Sequence, residues 1–276
     1  AWLQDNGFAY EADGAQWFRS TAFGDDKDRV LVRSDSGEMY TYFAADIAYH
    51  RYKLERGFDV LIDLWGPDHH GYIKRVEAAL DAYKGGFSAY TFEVIIIQLV
   101  TLKDAKMSKR KGTIIKLDEL VDEVGRDAAR FYYLLRRNSS HLEFDVDLAK
   151  AKSMDNPLYY IQYAHARIAS ILARHGVAVD YNHINDLKQP GELNLIKDIL
   201  QLRSMIKVAA AQREPYMIID YLKGLAASFH KFYETHRVLD ENAPDVTNAR
   251  LALIEGVKVT LATGLRILGV SAPESM

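Results

Sequence analysis

The chain has 276 residues, with 35 Lys and Arg against 38 Asp and Glu, a net charge of −3 and no cysteine. Disulfides and thiolate metal sites are excluded, and the chain is no polycation, so any nucleic-acid contact must come from local patches. The apolar share of 49% with 26% charged residues is that of a soluble globular protein. No run reaches the roughly 18 uncharged apolar residues of a spanning helix, and a cytoplasmic location without a membrane partner is expected.

Residues 1–20 read as the end of a helix and then a hairpin, with Asp13-Gly14 between two apolar arms. Residues 30–33 form a strand that Ser36-Gly37 turns toward 39–42. Residues 46–56 have helical character and stop at Gly57. Val60–Trp65 is the next strand, followed by Gly66-Pro67-Asp68-His69-His70-Gly71, a helix over 73–83, and an apolar run over 93–100 that reads as one buried parallel strand. This alternation predicts a doubly wound α/β pattern. Beyond Lys116 the strand signals stop. Helices are expected over 117–124, 126–137, 157–175, 192–211, 215–235 and 246–269, with a polar loop over 176–191. The chain is therefore expected to be α/β over 1–145 and all-helical over 146–276.

Between Lys103 and Lys116 there are six basic residues and one acid, Asp104. A basic loop after a buried strand lies where open α/β sheets bind ligands. Lys106 and Lys109, three apart on a turn ending at Gly112, can converge on one polyphosphate; a solvated basic loop is the plainer reading. No GxxxxGK or GxGxxG run is present, so ATP would be held by another device. Gly66 would let a nucleoside approach the backbone, and Asp68 could accept from a ribose hydroxyl or an ammonium. His69 and His70 are adjacent, so their side chains diverge and no metal-ligand set is expected. Tyr42 and Asp46 stand four apart, where a carboxylate beside a phenol suits a cationic substrate; spacing alone favours the plainer reading, Asp46 as a helix cap.

Thr41-Tyr42-Phe43-Ala44-Ala45-Asp46-Ile47-Ala48-Tyr49-His50, Trp65-Gly66-Pro67-Asp68-His69-His70-Gly71-Tyr72 and Lys106-Met107-Ser108-Lys109-Arg110-Lys111-Gly112 resemble, in order and spacing, consecutive signatures of the arginyl-tRNA synthetases. The last run is similar to the KMSKS signature of class I synthetases, with Arg110 in its variable last place. Gly125-Arg126-Asp127-Ala128-Ala129-Arg130-Phe131 resembles the D-A-L-R element of their helical anticodon-binding domain. Asn156-Pro157-Leu158-Tyr159-Tyr160-Ile161-Gln162-Tyr163-Ala164-His165-Ala166-Arg167 and the last nine residues also resemble that family.

The resemblance implies the second half of a class I Rossmann-like nucleotide fold followed by a helical bundle of the DALR type. It implies ATP-dependent activation of L-arginine and transfer to tRNA(Arg), with ATP and Mg2+ as the substrate complex. Tyr42, Asp46 and His69 fall where the family holds arginine. Gly66 and Asp68 fall on the adenosine side, Lys106, Met107, Ser108 and Lys109 form the loop that closes on ATP, and Tyr163, Arg167 and Met276 are candidate anticodon contacts. The HIGH signature of the family's first half is absent, so the chain is expected to be the second half of a longer enzyme and inactive alone. A non-catalytic tRNA-binding module or a truncated paralogue is the alternative.

Overall fold

The computed structural model describes residues 2–35, 39–103 and 116–276, in two compact units, residues 1–99 and 100–276. The first unit opens with helix α1 (Trp2–Asp5) and strands β1 (Ala9–Ala12), β2 (Ala15–Phe18) and β3 (Arg29–Val32), which form an antiparallel sheet in that order. Asp13 and Gly14, at φ 53° and 71°, make the two-residue turn between β1 and β2, and Ala12 faces Ala15 across it. Both residues are left-handed, as the tight hairpin turn whose twist matches that of its strands requires.

Helix α2 (Tyr42–Glu55) begins four residues before the expected start. Its cap is Thr41, whose hydroxyl accepts from the Ala44 amide at 3.3 Å; Asp46 therefore lies inside the helix and does not cap it. Phe43, Ile47, His50 and Leu54 recur at helical spacing and form its buried face. Strand β4 (Val60–Trp65), helix α3 (Ile73–Tyr83) and strand β5 (Thr91–Ile96) make a parallel crossover unit, with Leu61 opposite Phe92 and Trp65 opposite Ile96. Phe18, Phe43, Ile47, Leu61, Val76 and Leu80 are the centre of its core.

The run 93–100 does not form one buried strand. β5 ends at Ile96 and is half-exposed, while Val100–Leu102 is a separate strand, β6, in the second unit. A buried parallel strand needs both faces covered. Here β4 pairs only with β5 among the described residues, and Val60, Ile62 and Leu64 on its outer face are exposed.

In the second unit β6 pairs in parallel with β7 (Leu142–Phe144), and between them lie α4 (Leu117–Val124) and α5 (Arg126–Tyr133). α5 ends four residues before the expected Arg137. The following connection turns to bond elsewhere: Asn138 donates to the Arg213 carbonyl at 2.9 Å. Helix α6 (Val146–Lys150) is capped by Asp145, which accepts from the Leu148 amide. The bundle consists of α7 (Pro157–His175), α8 (Pro190–Gln212), α9 (Tyr216–Thr235) and α10 (Pro244–Leu268), and the polar loop before α8 holds a short 3-10 turn, Tyr181–Asp186. Pro at N1 or N2 of α7, α8 and α10 presets their first turns, and Gly176 and Gly269 end α7 and α10 in the left-handed conformation. Ile161, Ile168, Leu222, Phe229, Ile254 and Leu261 are fully buried between these helices.

α10 packs against α9 at Gly264, where an added Cβ would stand 2.5 Å from Leu222 Cδ2. Gly224, an exposed glycine of α9, has nothing within 4 Å of such a Cβ. In urea denaturation Gly264→Val should therefore destabilise by about 1–3 kcal/mol through overpacking. Gly224→Ala should stabilise by roughly 0.5–1 kcal/mol, the helix penalty of glycine. Similar effects at the two positions would contradict this packing.

Candidate functional site

In the first unit, α2, β4 and the turn after β4 enclose an open cleft of about 410 Å3 lined by Asp46, His50, Lys53, Asp63, Trp65, Gly66, His69 and Tyr72, among others. Its fixed point is Asp63, buried on the inner face of β4. One oxygen lies 2.8 Å from His50 Nε2, and the other is bonded by the Lys53 ammonium. His50 Nδ1 stands 2.8 Å from the Asp46 carbonyl. Both ring nitrogens thus lie within hydrogen-bond distance of an oxygen. Burial pushes the Asp63 carboxyl up, but the bonds from His50 and Lys53 outweigh it and hold it below the ordinary carboxylate range.

One turn before His50, the Asp46 side chain enters the same cleft. It accepts a 3.1 Å bond from the Tyr72 hydroxyl. Tyr72 is held edge-on against Phe43 at 5.8 Å and Trp65 at 6.1 Å between ring centroids. Burial, and then the neighbouring Asp46 charge, raise the phenol's pKa, so it stays a donor. The two carboxylates are therefore unequal. Asp63 is consumed by two internal donors, whereas Asp46 meets one neutral hydroxyl and keeps acceptor capacity for a cation.

Gly66 begins the 3-10 turn Pro67–Tyr72. A Cβ there would stand 2.9 Å from Asp68 Oδ1, so the glycine lets that carboxylate fold back on the backbone. His69 is half-exposed and 3.5 Å from Asp68. The cleft thus gathers Asp46, Gly66 and His69, while Asp68 is exposed and Tyr42, 93% exposed, does not line it. Lys106, Met107, Ser108 and Lys109 lie outside the described residues. Among the described residues no group of three His, Asp or Glu is placed to hold a metal ion. Sequence reasoning missed His50, Lys53, Asp63 and Tyr72. The available signal was the spacing Asp46, His50, Lys53, a polar line along an otherwise apolar helix face, with a lone Asp63 inside an apolar strand.

In the second unit, Tyr163 and Arg167 lie one turn apart on α7, and Arg167 Nη1 donates to the Tyr163 hydroxyl at 2.9 Å. The guanidinium lies over the Tyr233 ring at 4.5 Å, and Tyr163 stacks on Tyr159 at 5.9 Å and on His230 at 6.0 Å. Burial, and then the Arg167 charge, lower the His230 pKa, which favours a neutral ring. Tyr233 and His230 come from α9 and carry no local sequence signal of this role.

The chain end is fastened beside this cluster. Asp127 accepts from the Ser271 amide at 3.0 Å and from its hydroxyl, and Arg130 donates to the Leu268 carbonyl. Gln162 donates to the Ser271 carbonyl at 3.0 Å, and His165 Nδ1 meets that of Pro273 at 2.8 Å. Met276, 56% exposed, ends this anchored segment.

The sequence profile of the tRNA synthetases class I (R) catalytic domain matches residues 1–150, and that of the DALR anticodon binding domain matches 161–276. This chain belongs to the class I aminoacyl-tRNA synthetases. An arginine–tRNA ligase from Listeria monocytogenes is 50% identical over 99% of this chain and 50% of its own length. A Campylobacter jejuni structure described as an arginyl-tRNA synthetase superposes with a TM-score of 0.87 at 36% identity, over 99% of this chain and 60% of that one. The Thermus thermophilus arginyl-tRNA synthetase structure shares the fold, with a TM-score of 0.78 at 23% identity, over 99% of this chain and 57% of that one. Within its class the chain belongs to the arginyl-tRNA synthetase family. It spans about half the length of the curated relatives it matches.

Asp63→Ala should destabilise by about 3–5 kcal/mol, because it leaves Lys53 without its counter-charge and His50 Nε2 without its partner. The folded Asp63 pKa lies below the unfolded one, so its stabilisation is complete above the ordinary range near about 3.9 and is lost as pH falls through the folded value. Chemical denaturation of wild type and variant along an acid series checks both: their difference should shrink toward low pH. A constant difference would remove Asp63 as the ionised centre of the cleft.

Proposed function

We propose that the complete protein, of which this chain is about half, is an arginine–tRNA ligase. The observation that carries the reading is the inequality of the two cleft carboxylates, which leaves Asp46 open to a guanidinium in a chain of this family. Asp46 pairs the arginine side chain, with Tyr72 fixing its carboxylate and His69 completing the pocket; Tyr42, at the start of the same helix, stands outside it. Gly66 and Asp68 take the adenosine side.

In the first step the arginine carboxylate oxygen attacks the α-phosphorus of ATP. A P–O bond forms to give arginyl-adenylate, and the bond to the β-phosphate oxygen breaks to release pyrophosphate. A hydroxyl of the terminal tRNA ribose then attacks the arginyl carbonyl and AMP leaves. Lys106 and Lys109 of the loop Lys106-Met107-Ser108-Lys109 neutralise charge that develops on the departing pyrophosphate, and Mg2+ enters with ATP as part of the substrate. Residues 1–145 serve the catalytic half and 146–276 the anticodon half, with Tyr163, Arg167 and Met276 at the tRNA(Arg) anticodon. Among the described residues no helix is long and apolar enough to cross a membrane.

The missing HIGH-bearing half is the natural cover for β4. The open edge of that strand and its exposed Val60, Ile62 and Leu64 form a surface that a further strand and its flanking helices would bury. The isolated chain should accordingly give no ATP–pyrophosphate exchange with arginine and tRNA(Arg), and robust exchange would overturn the division of labour between the halves. In the complete enzyme Lys109→Ala should slow adenylate formation by about 100-fold or more while arginine affinity changes less than about threefold, since the loop acts on charge present only in the transition state. Pre-steady-state kinetics beside equilibrium binding separates the two; equal losses would remove Lys109 from that role.

A further inference from the structure

A second polar cleft lies in the helical unit, away from the Tyr163 cluster in its lining residues. It has a volume of about 340 Å3 and is bounded by Arg136, Arg137 and Ser140 of the α5–β7 connection, Pro157 of α7, and Tyr216, Asp220 and Lys223 of α9. Three cations face one carboxylate. That carboxylate, Asp220, lies 3.5 Å from Lys223, so the local excess of positive charge rests on the two arginines. Among the described residues neither arginine is ion-paired.

Of the two, Arg137 is held by the fold. Arg137 Nε donates to the Tyr216 hydroxyl at 3.0 Å, and the guanidinium stands over the Tyr216 ring at 5.5 Å, a bond that uses Nε and not the terminal nitrogens. The neighbouring Asn138 bonds the Arg213 carbonyl, so the connection is tied to the α8–α9 corner at two points. The first turn of α9 has no side-chain cap; its Met217 and Ile218 amides bond the Glu214 and Pro215 carbonyls instead. A planar fork held against an aromatic ring loses little freedom on bonding a phosphate.

We propose that this cleft binds the sugar–phosphate backbone of RNA through Arg136, Arg137 and Lys223, as a site separate from the anticodon face. Both arginines are exposed, so a lone small anion would compete poorly with water. A polyanion that touches several cations at once gains by releasing its condensed counterions, and that gain does not depend on sequence. The proposal rests on the reading that the helical unit binds tRNA; it adds a positioning contact blind to the anticodon.

The test measures binding of the 276-residue chain to tRNA(Arg), to the same tRNA altered at the anticodon, and to an unrelated RNA hairpin, across a potassium chloride series. Arg136→Ala/Arg137→Ala should weaken all three by a similar factor, about tenfold at low salt, and reduce the slope of log K against log salt by about 2. Tyr216→Phe, which only releases Arg137, should give a smaller loss of the same kind. An unchanged slope in the double variant, or a wild type that binds none of the three RNAs, overturns the proposal. If the double variant loses slope while the wild type fails to distinguish the altered anticodon, the anticodon assignments fall and the backbone site stands.

Discussion

The first unit depends on one buried carboxylate. Asp63 sits on β4 where two donors from α2, His50 and Lys53, close on its two oxygens. Unpaired, such a charge would be costly to bury; with both oxygens occupied it becomes a bolt between a strand and a helix. The same histidine bonds the Asp46 carbonyl, so the bolt reaches the backbone of the residue that presents the open carboxylate. Two residues beyond Asp63, β4 ends and Gly66 starts the turn that carries His69 and Tyr72. The Asp46 side chain is thus framed by an internal arrangement in which the other carboxylate lining the cleft, Asp63, is already engaged.

The helical unit has a counterpart in the Asp127 and Arg130 pair. These are the outer residues of the D-A-x-R run, and both face the end of α10: Asp127 takes donors from Ser271 and Arg130 bonds the Leu268 carbonyl. Gly269 is obligatory there for two reasons. Its φ is +72°, and a Cβ would lie 2.4 Å from Arg130 Nε. The motif therefore works as a clamp that closes the bundle. Its catch is the tail that Gln162 and His165 then hold against α7. An element near the start of the unit fixes the position of the chain's last residues, and with them Met276.

The legible parts of this chain were those bounded by local chemistry. Helices over 73–83, 117–124 and 157–175 stop and start where the residues demand, at Gly125, at Asn156-Pro157 and at Gly176. The illegible parts were decided by distant partners. The break after Ile96 follows from β6 pairing with β7 some forty residues on, which no feature of the run 93–100 announces. The start of α2 turned on a choice between Thr41 and Asp46 as cap, and the Tyr72 hydroxyl, 26 residues away, engages the latter. Tyr163 and Arg167 were visible as a pair one turn apart, whereas the α9 rings that immobilise them belong to tertiary packing.

On the proposed function, Asp46 is the cleft's counter-charge for a guanidinium. The most direct measurement is competition by citrulline, the neutral urea isostere of arginine, against arginine binding in the complete enzyme with Asp46 and with Asn at that position. A charge-assisted pair carries about 1.5–3 kcal/mol, so arginine should be preferred over citrulline by at least about tenfold in the wild type, and Asp46→Asn should erase most of that preference. An undiminished preference in the variant would place the guanidinium against another group and contradict the account.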